Sequence, residues 1–182
     1  MRIYYFLFAL PSLWATEYDF LIDVPGDAFS DVGGIFSAGH GDLRGCINQA
    51  NFINGSNTFI FDFDSSISSI TLENLLPILV ANVYFIDGSG GVGGRVTIDG
   101  DSQYPGIIAF HAQTILANLT IQNCISQGGN GSGGGMGAGG AVFAVGSEVI
   151  LDNVTIDGCS AIGGDGAFGR SSSYGGGGGG LF

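Results

Sequence analysis

The sequence predicts an all-β chain wound as a right-handed, single-stranded parallel β-helix with a short N-terminal helical cap and glycine-rich loops. Three observations predict it: a gapless internal repeat, short β-branched runs that end alike, and 35 glycines in 182 residues. Residues 115–129, ILANLTIQNCISQGG, align on residues 150–164, ILDNVTIDGCSAIGG, at an offset of 35. The endings Phe85-Ile86-Asp87-Gly88 and Val96-Thr97-Ile98-Asp99-Gly100 repeat the motif upstream. From Ile86 to Ile98 is 12 residues, from Ile98 to Ile121 is 23, and from Ile121 to Ile156 is 35. A step of 23 suits one coil of three short strands, 12 suits two strands of one coil, and 35 is a coil with 12 extra residues. The glycine-rich stretch 128–140, GGNGSGGGMGAGG, supplies that surplus.

Taken in chain order, residues 1–15 read as a signal peptide: Arg2, an apolar run from Ile3 to Leu10, Pro11, and the small Ala15. An uncleaved anchor or a buried strand is the alternative, although the run falls short of the ~20 residues of a membrane span. Residues 16–56 form an N-terminal segment and cap, and residues 57–182 the coils, ending as though cut short. Phe59, Phe61 and Phe63 alternate with Ile60, Asp62 and Asp64 as an early strand. A helix over 67–86 is disfavoured by Pro77 and the β-branched residues. Glycine segments 128–140 and 163–180 have few side chains to pack and are expected to leave one flank as mobile loops.

Stacked strands ~4.8 Å apart would place Ile121 over Ile156 and Leu116 over Leu151. Asn118 and Asn153 recur just before the strand, where their amides could bond along the stack as a ladder. Cys124 and Cys159 are equivalent by the repeat, so adjacent coils would bring their Cα atoms within the ~4.4–6.8 Å that a disulfide accepts. Two buried thiols are the alternative, and Cys46 has no partner in the repeat. The sequons at Asn54, Asn118, Asn130 and Asn153 matter only in a eukaryotic secretory pathway.

The stretch Gly41-Asp42-Leu43-Arg44-Gly45-Cys46-Ile47-Asn48-Gln49-Ala50-Asn51 resembles the opening segment of secreted right-handed parallel β-helix surface proteins. In that family a short helical segment precedes an apolar strand, a leucine-proline element and an I-D-G strand, matched here by Leu75-Leu76-Pro77 and Ile86-Asp87-Gly88. Gly139-Gly140-Ala141-Val142-Phe143 and Gly178-Gly179-Gly180-Leu181-Phe182, with Leu119 to Asn123, resemble the repeats of polymorphic outer-membrane proteins of autotransporter type. That resemblance covers residues 39–182 and implies a surface-displayed adhesin whose further coils and outer-membrane barrel would lie in a missing C-terminal region.

Charge and motif content narrow the function. Sixteen acidic residues against four arginines and no lysine exclude a phosphate-binding stripe, so nucleic acid is not a partner. Gly39-His40-Gly41 copies a pectin-type glycoside hydrolase motif, but no Asp-Asp pair or Arg-Ile-Lys accompanies it, and His40 reads as a loop residue. His111 reads as a strand or turn residue. Asp62 with Asp64 and Asp99 with Asp101 are too few carboxylates for a calcium site, and Arg95 fits a surface ion pair with Asp99. No catalytic, cofactor-binding or metal residues are therefore expected, and no cofactor. The expected protein is a secreted or cell-surface, outer-membrane-associated passenger with an unidentified protein or glycan ligand. A polysaccharide lyase or hydrolase with its site mostly beyond Phe182 is the rival, and a degenerate fragment is a third reading.

Overall fold

The computed structural model describes residues 16–27, 36–37, 39–130, 134–165 and 180–181. The proposed signal peptide and most of the glycine run at 163–180 lie outside the described residues. The elements are β1 (Thr16–Ile22), β2 (Phe36–Ser37), β3 (His40–Gly41), α1 (Leu43–Phe52), β4 (Asn57–Phe63), β5 (Ser69–Thr71), β6 (Leu79–Val80), β7 (Val83–Asp87), β8 (Val96–Asp99) and β9 (Ile107–Phe110). There follow β10 (Gln113–Ala117), β11 (Leu119–Gln122), β12 (Ile125–Gln127), β13 (Gly137–Ala138), β14 (Val142–Val145), β15 (Glu148–Asp152), β16 (Thr155–Asp157), β17 (Ser160–Ile162) and β18 (Gly180–Leu181). The chain is thus mostly parallel β-sheet with few helices, and the segment 67–86 is strand and turn.

The strands fall into several separate sheets. The largest has the order β15-β10-β7-β4-β1-β3-β2, a second β16-β11-β8-β5, and a third β14-β9-β6. All pairings are parallel except β2 with β3. Register lines up equivalent residues: Phe20, Phe61, Ile86, Leu116 and Leu151 in the first sheet, and Ile70, Ile98, Ile121 and Ile156 in the second. Side-chain alternation along each strand then buries Phe20, Phe61, Ile86 and Leu116 of the first line and Ile70, Ile98 and Ile121 of the second, whereas Leu151 and Ile156, on the last strands of these lines, are 46% and 48% exposed. In β4, Phe59, Phe61 and Phe63 are buried while Asp62 is exposed.

Side chains from these sheets form one apolar cluster, with Ile47 and Ala50 of α1 against it. Aromatic rings fill its N-terminal end: Phe20 and Phe61 have centroids 5.3 Å apart, and Phe59 and Tyr84 5.5 Å apart. Thr114 continues the line from Tyr84 to Val149, and its hydroxyl, 1% exposed as a residue, has no hydrogen-bond partner among the described residues. Thr114→Val is therefore expected to stabilise the fold by about 1 kcal/mol, since the isostere removes a buried unpaired hydroxyl. A urea titration of the two proteins checks it.

Two sequence expectations need correction. The parallel sheet begins at Thr16, because β1 pairs along its whole length with β4, so residues 16–22 belong to the stack. Several glycines of 128–140 are closely packed rather than free spacers, although Gly129 is open: Gly128 donates to Ile162 O at 2.8 Å, and a Cβ on Gly137 would overlap the Ile162 carbonyl. Strand β18 extends this packing, Leu181 pairing beside Ala138 of β13.

Strand length and register are kept while the connections vary. Residues 88–95, with two 3-10 turns, occupy the corner that Asn118 alone occupies in the next pass. The chain takes 9 residues from Ile98 to Ile107 and 21 from Ile121 to Val142, a surplus of 12 that falls in the glycine-rich stretch.

Candidate functional site

The helix α1 carries the motif that opens residues 41–51, and its side chains anchor the N-terminal end of the stack. Asp42 caps the helix, its Oδ1 accepting from Gly45 N at 2.6 Å. Leu43, Ile47 and Ala50 face the core. Arg44 is 6% exposed and makes a bidentate pair with Asp27, itself 2% exposed. The same guanidinium donates to Leu75 O at 2.7 Å and Asn74 O at 3.0 Å, while Asp27 Oδ2 accepts from Glu73 N at 3.0 Å. One ion pair thus ties a turn, the helix and the leucine-proline segment together. Asn51 completes the set, donating to Ile78 O at 2.7 Å and lying 2.8 Å from the buried Tyr84 hydroxyl.

The corners between strands carry polar residues in the left-handed region. Asn118 and Asn153 have φ of 52° and 53° and each forms the turn between the first and second sheets. Asparagine tolerates this conformation because its short amide can bond locally. Asn153 Nδ2 donates to Asn118 Oδ1 at 2.7 Å, and Asn118 Nδ2 donates to Asp87 Oδ1 at 2.7 Å. Arg95 closes the far end, donating to Asn153 Oδ1 and to Leu119 O at 2.7 Å each. Ile121 and Ile156 pair directly behind this row. Asn118→Ala, which loses the amide and keeps a Cβ at positive φ, is expected to cost about 2 kcal/mol, and Asn118→Gly about half of that. Thermal melts of the pair separate the conformational part from the hydrogen bonds.

Two further corners repeat the device with less obvious residues. Asn123 and Gly158 have φ of 50° and 59°, and Ala81, His111 and Gly146 have φ of 55°, 51° and 58°. His111 is an exposed corner residue whose ring stands edge-on to Phe110, with centroids 4.3 Å apart. A Cβ on Gly146 would stand 2.7 Å from His111 Nδ1, so the glycine makes room for the ring. Beside it lies an open depression of about 300 Å³, lined by Ser56, Asn57, Asn82, His111 and Gln113 among others. Its lining combines these polar side chains with Ala81 and Val83, exposes more apolar than polar surface, and carries no carboxylate or guanidinium.

The acidic residues singled out by the sequence are dispersed into local bonds. Asp64 accepts from Ser66 N at 2.9 Å, and Asp101 Oδ2 from Gln103 Nε2 at 2.8 Å. Arg95 does not pair with Asp99, because it starts the strand that Asp99 ends and reaches along the stack instead. His40 is in strand β3 rather than a loop, its Nδ1 3.0 Å from Asp23 Oδ2. Among the described residues no group of three or more His, Cys, Asp or Glu is placed to hold a metal ion.

Two aspartates respond oppositely to their surroundings. Asp62 is exposed as a residue, yet partial desolvation of its carboxyl against the sheet, followed by the negative charges of Asp87 and Asp19, holds it above its ordinary range. Burial also acts to raise Asp99, but donors from Gln122, Asp101 N and Asn123 together bring it below the ordinary range. Asp62 therefore costs stability as pH rises from the unfolded carboxylate value of about 3.9 through its folded value, whereas Asp99 contributes stability that is lost as pH falls through its own. At pH about 7, Asp62→Asn is expected to stabilise, an effect that fades as pH falls from the raised folded value to about 3.9, and Asp99→Asn to destabilise, an effect that fades as pH falls below about 3.9. Denaturation midpoints across that window give the readout.

Cys124 and Cys159 lie in equivalent places on neighbouring passes, between the paired residues Gln122 and Asp157 on one side and Ile125 and Ser160 on the other. Cys46 is buried in α1, and burial, with Asp42 and Asp23 nearby, pushes its thiol up to about 12.

No family model, curated protein or solved structure matches the chain. No helix among the described residues is long and apolar enough to cross a membrane. The Arg44–Asp27 clasp and the Ala81–His111–Gly146 corner are what sequence reading missed. An arginine set between the apolar Leu43 and Ile47 is the one sequence cue to the first, and its partner Asp27 has none.

Proposed function

We propose that this chain is the N-terminal part of a right-handed parallel β-helix that is secreted or displayed at the cell surface, where it acts without catalysis as an adhesin-like passenger. The observation that carries this reading is the separation of constant from variable parts. Strand register repeats residue for residue, while added length falls in the connections at 88–95 and 123–141. Such a scaffold keeps its core and offers an adjustable rim to a partner. The net charge of -12 suits a soluble exposed surface. The depression beside His111, where Asn57, Asn82 and Gln113 stand among Ala81 and Val83, offers amides and apolar surface together, a combination that suits a glycan. Association with an outer membrane would run through a C-terminal region outside this sequence.

Fractionation and protease treatment of intact cells, with and without residues 1–15, test the proposal. Surface exposure that depends on those residues is the expected result, and retention inside the cell contradicts it. Depolymerisation of a polysaccharide by the purified protein would instead favour the enzymatic rival.

A further inference from the structure

Cys124 and Cys159 are flanked on both sides by in-register pairs at the same offset of 35, so their Cα atoms stand one strand spacing apart, about 4.8 Å. That lies inside the ~4.4–6.8 Å range of disulfides. The side chains also converge: Cys159 Sγ is 3.4 Å from Cys124 N and 3.5 Å from Ile121 O, so it leans toward the neighbouring pass. The two residues differ in access, Cys124 being fully buried and Cys159 partly open to solvent.

We propose that Cys124 and Cys159 form a redox-controlled staple between neighbouring passes, closed by exchange with a small-molecule disulfide such as glutathione disulfide. The Cys159 thiolate attacks one sulfur of the reagent, breaking its S–S bond, forming a mixed disulfide at Cys159 and releasing one thiolate. Cys124 then loses its proton and attacks Cys159 Sγ, expelling the second thiolate, which takes up a proton. Two protein thiols are oxidised by two electrons and one reagent disulfide is reduced to two thiols. The order follows from access. It also follows from acidity, since burial foremost, with Cys159 beside it, pushes the Cys124 thiol up and leaves it a poor first nucleophile. The staple closes the loop that carries the glycine-rich stretch 128–140. It stands independently of the display proposal.

The test equilibrates the full chain in a glutathione redox buffer, blocks free thiols by alkylation and maps the products by mass spectrometry. A cross-linked peptide joining Cys124 to Cys159, with Cys46 alkylated only after unfolding, is expected. The oxidised protein should melt about 10 °C above the reduced one. In Cys124→Ser the reaction should stop at a glutathione adduct on Cys159. Recovery of both cysteines from the oxidised wild-type protein as free thiols, or as separate glutathione adducts, would overturn the proposal, as would cross-links to Cys46.

Discussion

Arg44→Ala is expected to destabilise the protein by about 3–5 kcal/mol, the cost of stranding a buried carboxylate without its counter-charge. Asp27 would keep its bonds from Glu73 N and Asn74 N but lose both guanidinium donors. The carbonyls of Asn74 and Leu75 would lose theirs as well. Arg44→Lys should recover only part of the loss, because one ammonium cannot span two carboxylate oxygens and two carbonyls. In a double-mutant cycle with Asp27→Ala, the double variant should lose less than the two single losses combined. Urea unfolding measures all four proteins. A loss near zero for Arg44→Ala would mean that the clasp contributes nothing to holding the cap on the stack.

Phe61→Ala is expected to cost about 3–5 kcal/mol. Its ring is fully buried, stands between Phe20 and Ile86 in the register, and lies 5.3 Å and 6.3 Å from the Phe20 and Tyr84 centroids. Truncation leaves a gap bounded by parallel strands whose spacing is set by backbone hydrogen bonds, so collapse around it is limited. Phe52, 80% exposed at the end of α1, is the control, and Phe52→Ala should change stability by less than about 0.5 kcal/mol. Equal losses at the two positions would contradict the burial of the Phe61 ring inside the stack.

Legibility in the sequence followed locality. The ladder from Ile98 through Ile121 to Ile156 could be read because the repeat preserves residue type at the paired positions. Even the surplus of 12 residues is visible, since the glycine-rich stretch 128–140 is of that size. Strand β1 was hidden because the cap separates it from β4. Its match of Tyr18, Phe20 and Ile22 to Phe59, Phe61 and Phe63 is a pattern of aromatic alternation, and not of identity. The ion pair of Arg44 joins residues 17 apart with no shared motif. The left-handed corners at Ala81 and His111 run against residue preference, and stacking over Gly146 explains them only once the passes are aligned.

The most direct test of the account is the stacking itself. Gln113 and Glu148 are exposed and paired on adjacent strands, with Val83 and Thr58 continuing the same line. Nitroxide labels at Gln113→Cys and Glu148→Cys, in a chain whose native cysteines are replaced by alanine, would sit on backbones about 4.8 Å apart. Labels at Thr58→Cys and Glu148→Cys would be separated by three such steps, about 14 Å. Stacked passes predict strong dipolar broadening for the first pair and much weaker broadening for the second. A spectrum of the first pair equal to the sum of its two single labels would contradict the parallel register on which the fold, the ladder and the cysteine staple all depend.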